Sequence, residues 1–423
     1  MDCTYSPAAG GRQLEAAIVK LYGSAASEQV KRYQKLFDGL RDVFGSCGPA
    51  AVFSAPGRTE IGGNHTDHQH GRVLTGSIDL DVIAAVTPNG ERVIRLQSEG
   101  FPMAVVELDD LEMRTEEYNQ TVSILRGIAA WFAGQGCRLE GFNAYATSRV
   151  FKGSGLSSSA ALEVLLGNIF NSLFNDGKYT PVQIAQIGQY AENVYFGKPS
   201  GLLDQMGSSV GGMVAIDFAD NSRPVVEQLG FDFSAAGHAL CIIDSGADHA
   251  DLTDEYAAVP GELKRVCAHF GKSVLREVPE EDFIAALPAL RQEAGDRAVL
   301  RAMHIYDENR RVEGQIDALR RNDFDAFLAL IRASGLSSWR YLQNVVPAGR
   351  KERQEVAVAL GLAERLLNGR GACRVHGGGF AGTIQAFVPL DMLEGFKAGM
   401  EQVLGGGMCH VLTIRPVGGV RLV

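Results

Sequence analysis

The chain has little that would tie it to nucleic acid, to a membrane or to a disulfide framework. Its 40 Lys and Arg are outnumbered by 50 Asp and Glu, a formal net charge of -10 over 423 residues. That balance argues against nucleic acid or an anionic membrane surface as the main partner. No apolar run is long enough to span a bilayer, and the start "MDCTYSPAAGGRQLEAAIVKLY" lacks the apolar core of a signal peptide. The 7 cysteines are scattered, odd in number and never spaced C-x-x-C. Neither a disulfide scaffold nor a cysteine zinc site is expected, and a reducing cytoplasm is the default setting. The familiar catalytic fingerprints are missing as well. There is no G-x-x-x-x-G-K-[ST], and Ser158 stands where G-x-G-x-x-G needs its third glycine. "GSSVG" (207–211) spells a hydrolase elbow around Ser209, but a strand follows it where one should precede it.

What is present is an ordinary globular composition, 46% hydrophobic and 21% charged, on a chain too long for one core. Two domains are expected, residues 1–235 and 236–423. Residues 12–44 read as one or two helices, after which "AVFSA" and "VLTGSIDLDVIAAVTPNGERVIRLQ" read as strands. Asn89-Gly90 between β-rich flanks is a hairpin signal, because both residues tolerate positive φ. In residues 158–175, Leu162, Leu165, Ile169 and Leu173 fall on one helical stripe. A second helix starts at Pro181, and the chain ends strand, glycine loop, strand, helix, strand. Hairpins with segregated helices point to an α+β fold.

Two segments carry chemistry. "GRTEIGGNHTDHQHG" packs His65, Asp67, His68 and His70 into six residues. Imidazoles at that density suit zinc, but the other histidines are isolated and form no H-E-x-x-H pair. A metal-dependent hydrolase is therefore one reading of this segment. "FKGSGLSSSAALEV" (151–164) sets glycines and three serines at the start of a long helix. Such a start presents free N–H groups and a positive dipole end to a phosphate. Its hydroxyls could cap the helix or bind Mg²⁺.

Taken with "RVHGGGFAGT" (374–383), these segments fall in an order and spacing that resembles the galactokinase family of the GHMP small-molecule kinases. "AENVYFGKPSGLLDQMGSSVGG" (191–212) looks like that family's catalytic-aspartate segment, and "DHADLTDEY" (248–256) like its sugar-binding His–Tyr region. The resemblance runs from about residue 35 to the C-terminus. It implies a two-domain fold, an N-terminal ribosomal-protein-S5-domain-2-like domain and a C-terminal ferredoxin-like domain, with the active site in the cleft between them. It also implies ATP and Mg²⁺ as cofactors and a hexose, most simply galactose, phosphorylated at its anomeric hydroxyl.

Carried over by position, the resemblance makes Asp204 the base or orienting charge at that hydroxyl and Arg58 the cation at the transferring phosphoryl group. Ser159 and Glu192 would hold Mg²⁺. Gly153, Ser154, Gly155, Leu156, Ser157, Ser158, Ser159 and Ala160 would cradle ATP phosphates, with Gly377, Gly378 and Gly379 lining the same cleft. Asn64, His65, Asp67, Gly201 and Tyr256 would face the sugar. Departures from the family pattern cluster in the sugar and purine positions: Asn64 for a glutamate, His68 for a tyrosine, Phe151 for a proline and Ser200 for a cysteine. His376 and Ala381 replace a threonine and a glycine, and no tryptophan lies near Thr121. The neutral amide at 64 leaves open a relative such as galacturonate or N-acetylgalactosamine as substrate. A non-catalytic sugar sensor is the alternative from another class. No oligomeric state is implied, with a monomer as the simplest form.

Overall fold

The computed structural model describes residues 10–45, 49–150, 155–247 and 252–423. Its centre is a pair of long antiparallel strands, β1 (Ala51–Gly62) and β2 (Arg72–Pro88). β1 is buried along its whole length, which matches its run of small and apolar residues. Beyond them come β3 (Val93–Ser98), β4 (Ala104–Glu107), β5 (Phe142–Ser148), β6 (Met213–Asp217) and β7 (Val225–Leu229). On the side away from β1, β2 forks: residues 72–76 pair with β6 and residues 82–88 with β5.

Alternation along these strands sorts side chains onto two faces. Val52, Ile83 and Ala85 pack with Leu14, Ile18, Tyr33 and Leu36 of the N-terminal helices Gly10–Tyr22 and Ala26–Phe44. Phe53, Ala84 and Val86 join the other core, with Ile128 and Phe132 of helix Thr121–Gly134 and Leu165 and Ile169 of helix Ser158–Phe174. The expected stripe on that last helix is thus present. Val164, Leu166 and Phe170 are buried too, so the helix is enclosed nearly all round.

The Asn89-Gly90 signal gives the turn but not the hairpin. Gly90 adopts φ +71, yet β5 inserts between β2 and β3 and runs parallel to β3. Asn89 makes this possible: its side-chain amide donates to Val93 O at 2.9 Å and to Asn143 Oδ1 at 3.1 Å, tying both flanks to the intruding strand. Tight-turn chemistry fixes the reversal, not the neighbour.

The chain enters a second sheet at β8 (His238–Asp244), which pairs with β10 (Thr383–Pro389) and β11 (Cys409–Leu412); β9 (Ala372–Val375) lies at the edge beside β10. Helices Glu355–Leu367 and Leu393–Leu404 cover one face through Ala359, Ala363, Phe396 and Met400. The final strand β12 (Val420–Arg421) returns to the first sheet beside β1. Ser209 lies inside helix Leu203–Val210, with its hydroxyl donating to Pro181 O at 2.7 Å, so it has no nucleophile geometry. Among the described residues no helix is long and apolar enough to cross a membrane.

The N-terminal helices, the sheet and the C-terminal segment meet at one carboxylate. Asp81 is fully buried and receives Arg32, Arg415 (3.0 Å), Ser54 and Tyr22. Burial alone would raise its pKa, but the two guanidiniums and the hydroxyl hydrogen bonds hold it below the usual carboxylate range. Asp81→Asn would keep the shape and leave two enclosed cations unneutralised. It is expected to cost about 3–5 kcal/mol in chemical denaturation; a loss under about 1 kcal/mol would show the cluster to be incidental.

Candidate active site

Two β-bulges bracket Arg58, between Pro56 and Arg58 and between Glu60 and Gly62. Bulges re-aim a strand residue, and here the guanidinium points to the start of helix Leu203–Val210. Its Nε donates to Asp204 Oδ1 at 2.7 Å and its Nη2 lies 2.6 Å from the same oxygen, while Nη1 reaches Gly155 O. Gly207 permits this closeness, since a Cβ there would meet the Arg58 Cβ at 2.9 Å. Burial pushes the Asp204 pKa up. Arg58, the Ser157 hydroxyl and Lys198 outweigh that and leave it below the ordinary value. The carboxylate is ionised, yet its side chain remains 30% exposed to the cleft.

Ser157 precedes helix Ser158–Phe174 with φ +57, and its Oγ donates to Asp204 Oδ2, not to the helix. Ser159 Oγ donates to Glu192 Oε1 at 3.3 Å. Of the uses open to these hydroxyls, the helix cap is not made, because Ser157 stands in the left-handed region and not in the extended conformation of an N-cap. The first-turn N–H groups keep their capacity for an anion. Leu156 and Ala160 are fully buried, Leu156 O accepting from Arg58 N at 3.1 Å, and Ser158 is half-buried. Gly153 and Ser154 lie outside the described residues.

Glu192 sits in a π-helical turn (Ala191–Tyr195) that continues helix Pro181–Tyr190; such wide turns recur at functional sites. It is 1% exposed. Oε2 accepts from Ser200 at 2.6 Å and Gln205 at 2.8 Å, and Oε1 accepts from Lys198 at 3.0 Å. Behind it Glu163 is fully buried, and burial followed by the Glu192 charge pushes its pKa well above normal, so it stays protonated. The Ser159–Glu192 pair offers hard oxygen donors that suit Mg²⁺, and an ammonium already rests on one of them. By contrast, among the described residues no three His, Cys, Asp or Glu side chains gather as a metal cluster.

The expected sugar residues divide into two groups. Asp67 keeps 13% of its side chain exposed, and Gly201 lies so close that a Cβ there would fall 1.9 Å from its Oδ2. Gly201 thereby sets Asp67 beside the segment that carries Asp204. His65 Nε2 bonds Gly378 O at 3.1 Å, and desolvation pulls the imidazole down to a pKa of about 3, so it is neutral. Asn64 is placed elsewhere. It has no exposed surface, and its amide donates to Glu60 Oε1 (3.0 Å) and Gly377 O (2.6 Å) while accepting from Asn344 (2.8 Å). Tyr256 donates to Gly379 O at 2.9 Å, with burial raising its pKa to about 12. Both residues brace the 377–379 glycines, where Gly377 and Gly379 adopt φ +63 and +79.

Further partners of this site are assigned no role by the sequence. Glu308, buried on helix Asp296–Arg320, accepts from the N–H groups of Gly63 (3.2 Å) and Asn64 (3.4 Å) and pairs with Arg311 at 2.6 Å. Burial opposes its charge, but Arg311, His304 and Arg374 bring its pKa to about 2. Arg374 of β9 reaches Glu60 and Ile61 O. His376 accepts from Glu60 N at 3.1 Å through Nε2, so its proton is on Nδ1, facing Thr383 Oγ1 at 3.0 Å. These contacts stitch β9 and its glycine loop to β1.

Comparison with known proteins gives this arrangement a class. Residues 122–212 match the GHMP kinases N terminal domain, and residues 40–88 match the galactokinase galactose-binding signature. The fold resembles the structure of Lactococcus lactis galactokinase complexed with galactose, with TM-score 0.78 at 24% identity, covering 94% of this chain and 100% of that one. It also resembles Methanococcus jannaschii mevalonate kinase, with TM-score 0.62 at 13% identity, covering 87% and 99%. The architecture is thus the two-domain α+β fold of the GHMP kinases. A galactokinase of Streptomyces coelicolor is 32% identical over 365 residues, 86% of this chain and 90% of that one. The chain belongs to the galactokinase family.

The buried interface predicts an acid sensitivity. His304 donates from Nε2 to Asn64 O at 3.0 Å and lies 2.9 Å from Ser337 Oγ. Burial lowers its pKa to about 4. Between pH 6.5 and about 4 the unfolded chain takes up a proton here that the folded chain refuses, so stability falls as pH falls. His304→Gln should reduce that slope by about one proton, read from denaturant midpoints between pH 7 and 4.5. An unchanged slope would mean His304 is already protonated in the fold.

Proposed function

We propose that this protein transfers the γ-phosphoryl group of ATP to the anomeric hydroxyl of galactose. ATP use and the galactokinase activity belong to the family; the residue roles are our reading. The observation that carries them is the Arg58–Asp204 pair, clasped to the glycine–serine loop through Gly155 O and Ser157.

Phosphoryl transfer proceeds through a loose transition state, so it needs positioning and charge neutralisation more than a strong base. An Asp204 pKa below normal suits that need. The carboxylate accepts the hydrogen bond of the attacking hydroxyl, orients its oxygen, and receives the proton late, as the new P–O bond forms. Arg58 keeps that carboxylate ionised and offers its remaining N–H groups to the transferring oxygens. The first turn of helix Ser158–Phe174 meets the phosphates, and Gly377 to Gly379 close the opposite wall. Ser159 and Glu192 would hold Mg²⁺, which when bound supplies neutralising charge to the phosphates. Asp67 reads a pair of sugar hydroxyls, as a carboxylate with two acceptor oxygens can, and neutral His65 adds one polar edge.

Asn64 and Tyr256 act through the glycine loop, holding it in place. This removes the support for a uronate substrate. The amide at 64 is fully engaged, and Glu60 keeps a carboxylate 3.0 Å from it. The sensor alternative is disfavoured because Arg58, Ser159, Glu192 and Asp204 are not merely present but mutually bonded.

Asp204→Asn should lower galactose-dependent ADP release by at least about 10³-fold while leaving galactose binding by calorimetry within a few-fold. Retention of a tenth of the rate would remove Asp204 from the reaction. Gly201→Ala should displace the Asp67 carboxylate and raise KM for galactose about tenfold or more, with KM for ATP little changed. Equal rises in both constants would point to general distortion instead.

A further inference from the structure

Lys198 has no part in the roles assigned above, yet it sits at their centre. Its ammonium lies 3.0 Å from Glu192 Oε1, the same oxygen that accepts from Ser159 at 3.3 Å. The other oxygen of Glu192 is already held by Ser200 and Gln205. Within the cleft Asp204 is matched by Arg58, and Glu163 accepts a hydrogen bond from Gln205 at 2.9 Å. The charge of Glu192 is thus left to Lys198.

The backbone of the lysine is fixed, while its ammonium is held, among the described residues, by Glu192 alone. Its backbone N–H donates to Glu192 O at 3.1 Å, while its side chain is 54% exposed. A half-exposed ammonium on a four-carbon stem exchanges partners cheaply. The oxygen pair suited to a divalent cation therefore already holds a monovalent one, and both cannot occupy it. A Mg²⁺ held by Ser159 and Glu192 would compete with the ammonium for Glu192 Oε1 and leave Lys198 in need of another partner. The triphosphate, laid over the N-terminus of the helix that carries Ser159, is the nearest incoming negative charge.

We propose that Lys198 is a phosphate-binding residue of the transfer reaction: it guards Glu192 in the nucleotide-free enzyme and moves its ammonium to the γ-phosphate oxygens when Mg-ATP binds. This rests on the reading that Ser159 and Glu192 hold the metal. It makes the metal and the lysine competitors before nucleotide binding and partners after it.

The test compares the full-length wild type with Lys198→Met and Lys198→Arg. Mg-ATP binding is measured by calorimetry at saturating Mg²⁺, where the affinity for the metal itself no longer limits. Lys198→Met should bind about tenfold more weakly, as expected for one lost charge-assisted hydrogen bond, and Lys198→Arg should stay close to wild type. Mn²⁺ binding to nucleotide-free protein is measured by electron paramagnetic resonance. Here Lys198→Met should bind more tightly than wild type, because the competing ammonium is gone. In turnover, kcat/KM for ATP should fall while KM for galactose holds. Mg-ATP affinity that does not change in Lys198→Met overturns the phosphate contact. Mn²⁺ affinity that does not rise overturns the exchange. Both binding readouts are independent of turnover: a wild type that releases no ADP with galactose would defeat the functional reading, whereas null binding results in an active enzyme would defeat only the role of Lys198.

Discussion

The Arg58–Asp204 ion pair is the contact on which the site depends. A guanidinium from the central strand, a carboxylate from the start of a short helix and a hydroxyl from the glycine–serine loop share one set of bonds. Each belongs to a different element, and none would hold its position alone. Because the pair is mostly enclosed, its Coulomb term is strong enough to keep the carboxylate ionised against desolvation. On the proposed roles, the same bonds bring the glycine–serine loop to where the sugar hydroxyl would lie. Geometry and electrostatics are set by one interaction.

Around that pair, buried polar contacts fix the second sheet against the first. Arg374 and His376 reach across to Glu60, Ile61 and Thr59, while Asn64 gathers the 377–379 loop and Asn344. Glu308 receives the turn at Gly63 and Asn64 from behind. Such networks are worth keeping only when nearly every group is satisfied. The turn at residues 63–64 and the 377–379 loop are joined through Asn64, so a change there acts on both.

Sequence reading reached the parts of this site that announce themselves locally. Arg58, Asp204, Ser159, Glu192 and the two glycine loops stand in ordered blocks, and the α+β class followed from hairpin signals with segregated helices. It did not reach Asn64 correctly in space, because a residue's neighbours in sequence do not tell whether its amide faces the cleft or the protein. The Asn89-Gly90 turn shows the same limit: local chemistry makes the reversal, and a strand from 50 residues downstream takes the place beside it. Lys198, Glu308 and Asp81 look like ordinary charges in the chain. Their meaning lies in long-range partners, and periodicity identifies a buried face without naming what covers it. The helix cap, one of the uses open to the loop serines, is not made, because Ser157 lies in the left-handed region and its hydroxyl donates to Asp204.

The most direct test of the account is the identity of the product. With galactose and Mg-ATP, phosphorus NMR of the reaction mixture should show ADP and a phosphate ester on the anomeric carbon of galactose in equal amounts. ADP without a sugar phosphate, or a phosphate on another hydroxyl, would contradict the placement of Asp204 and Arg58 at the reacting centre.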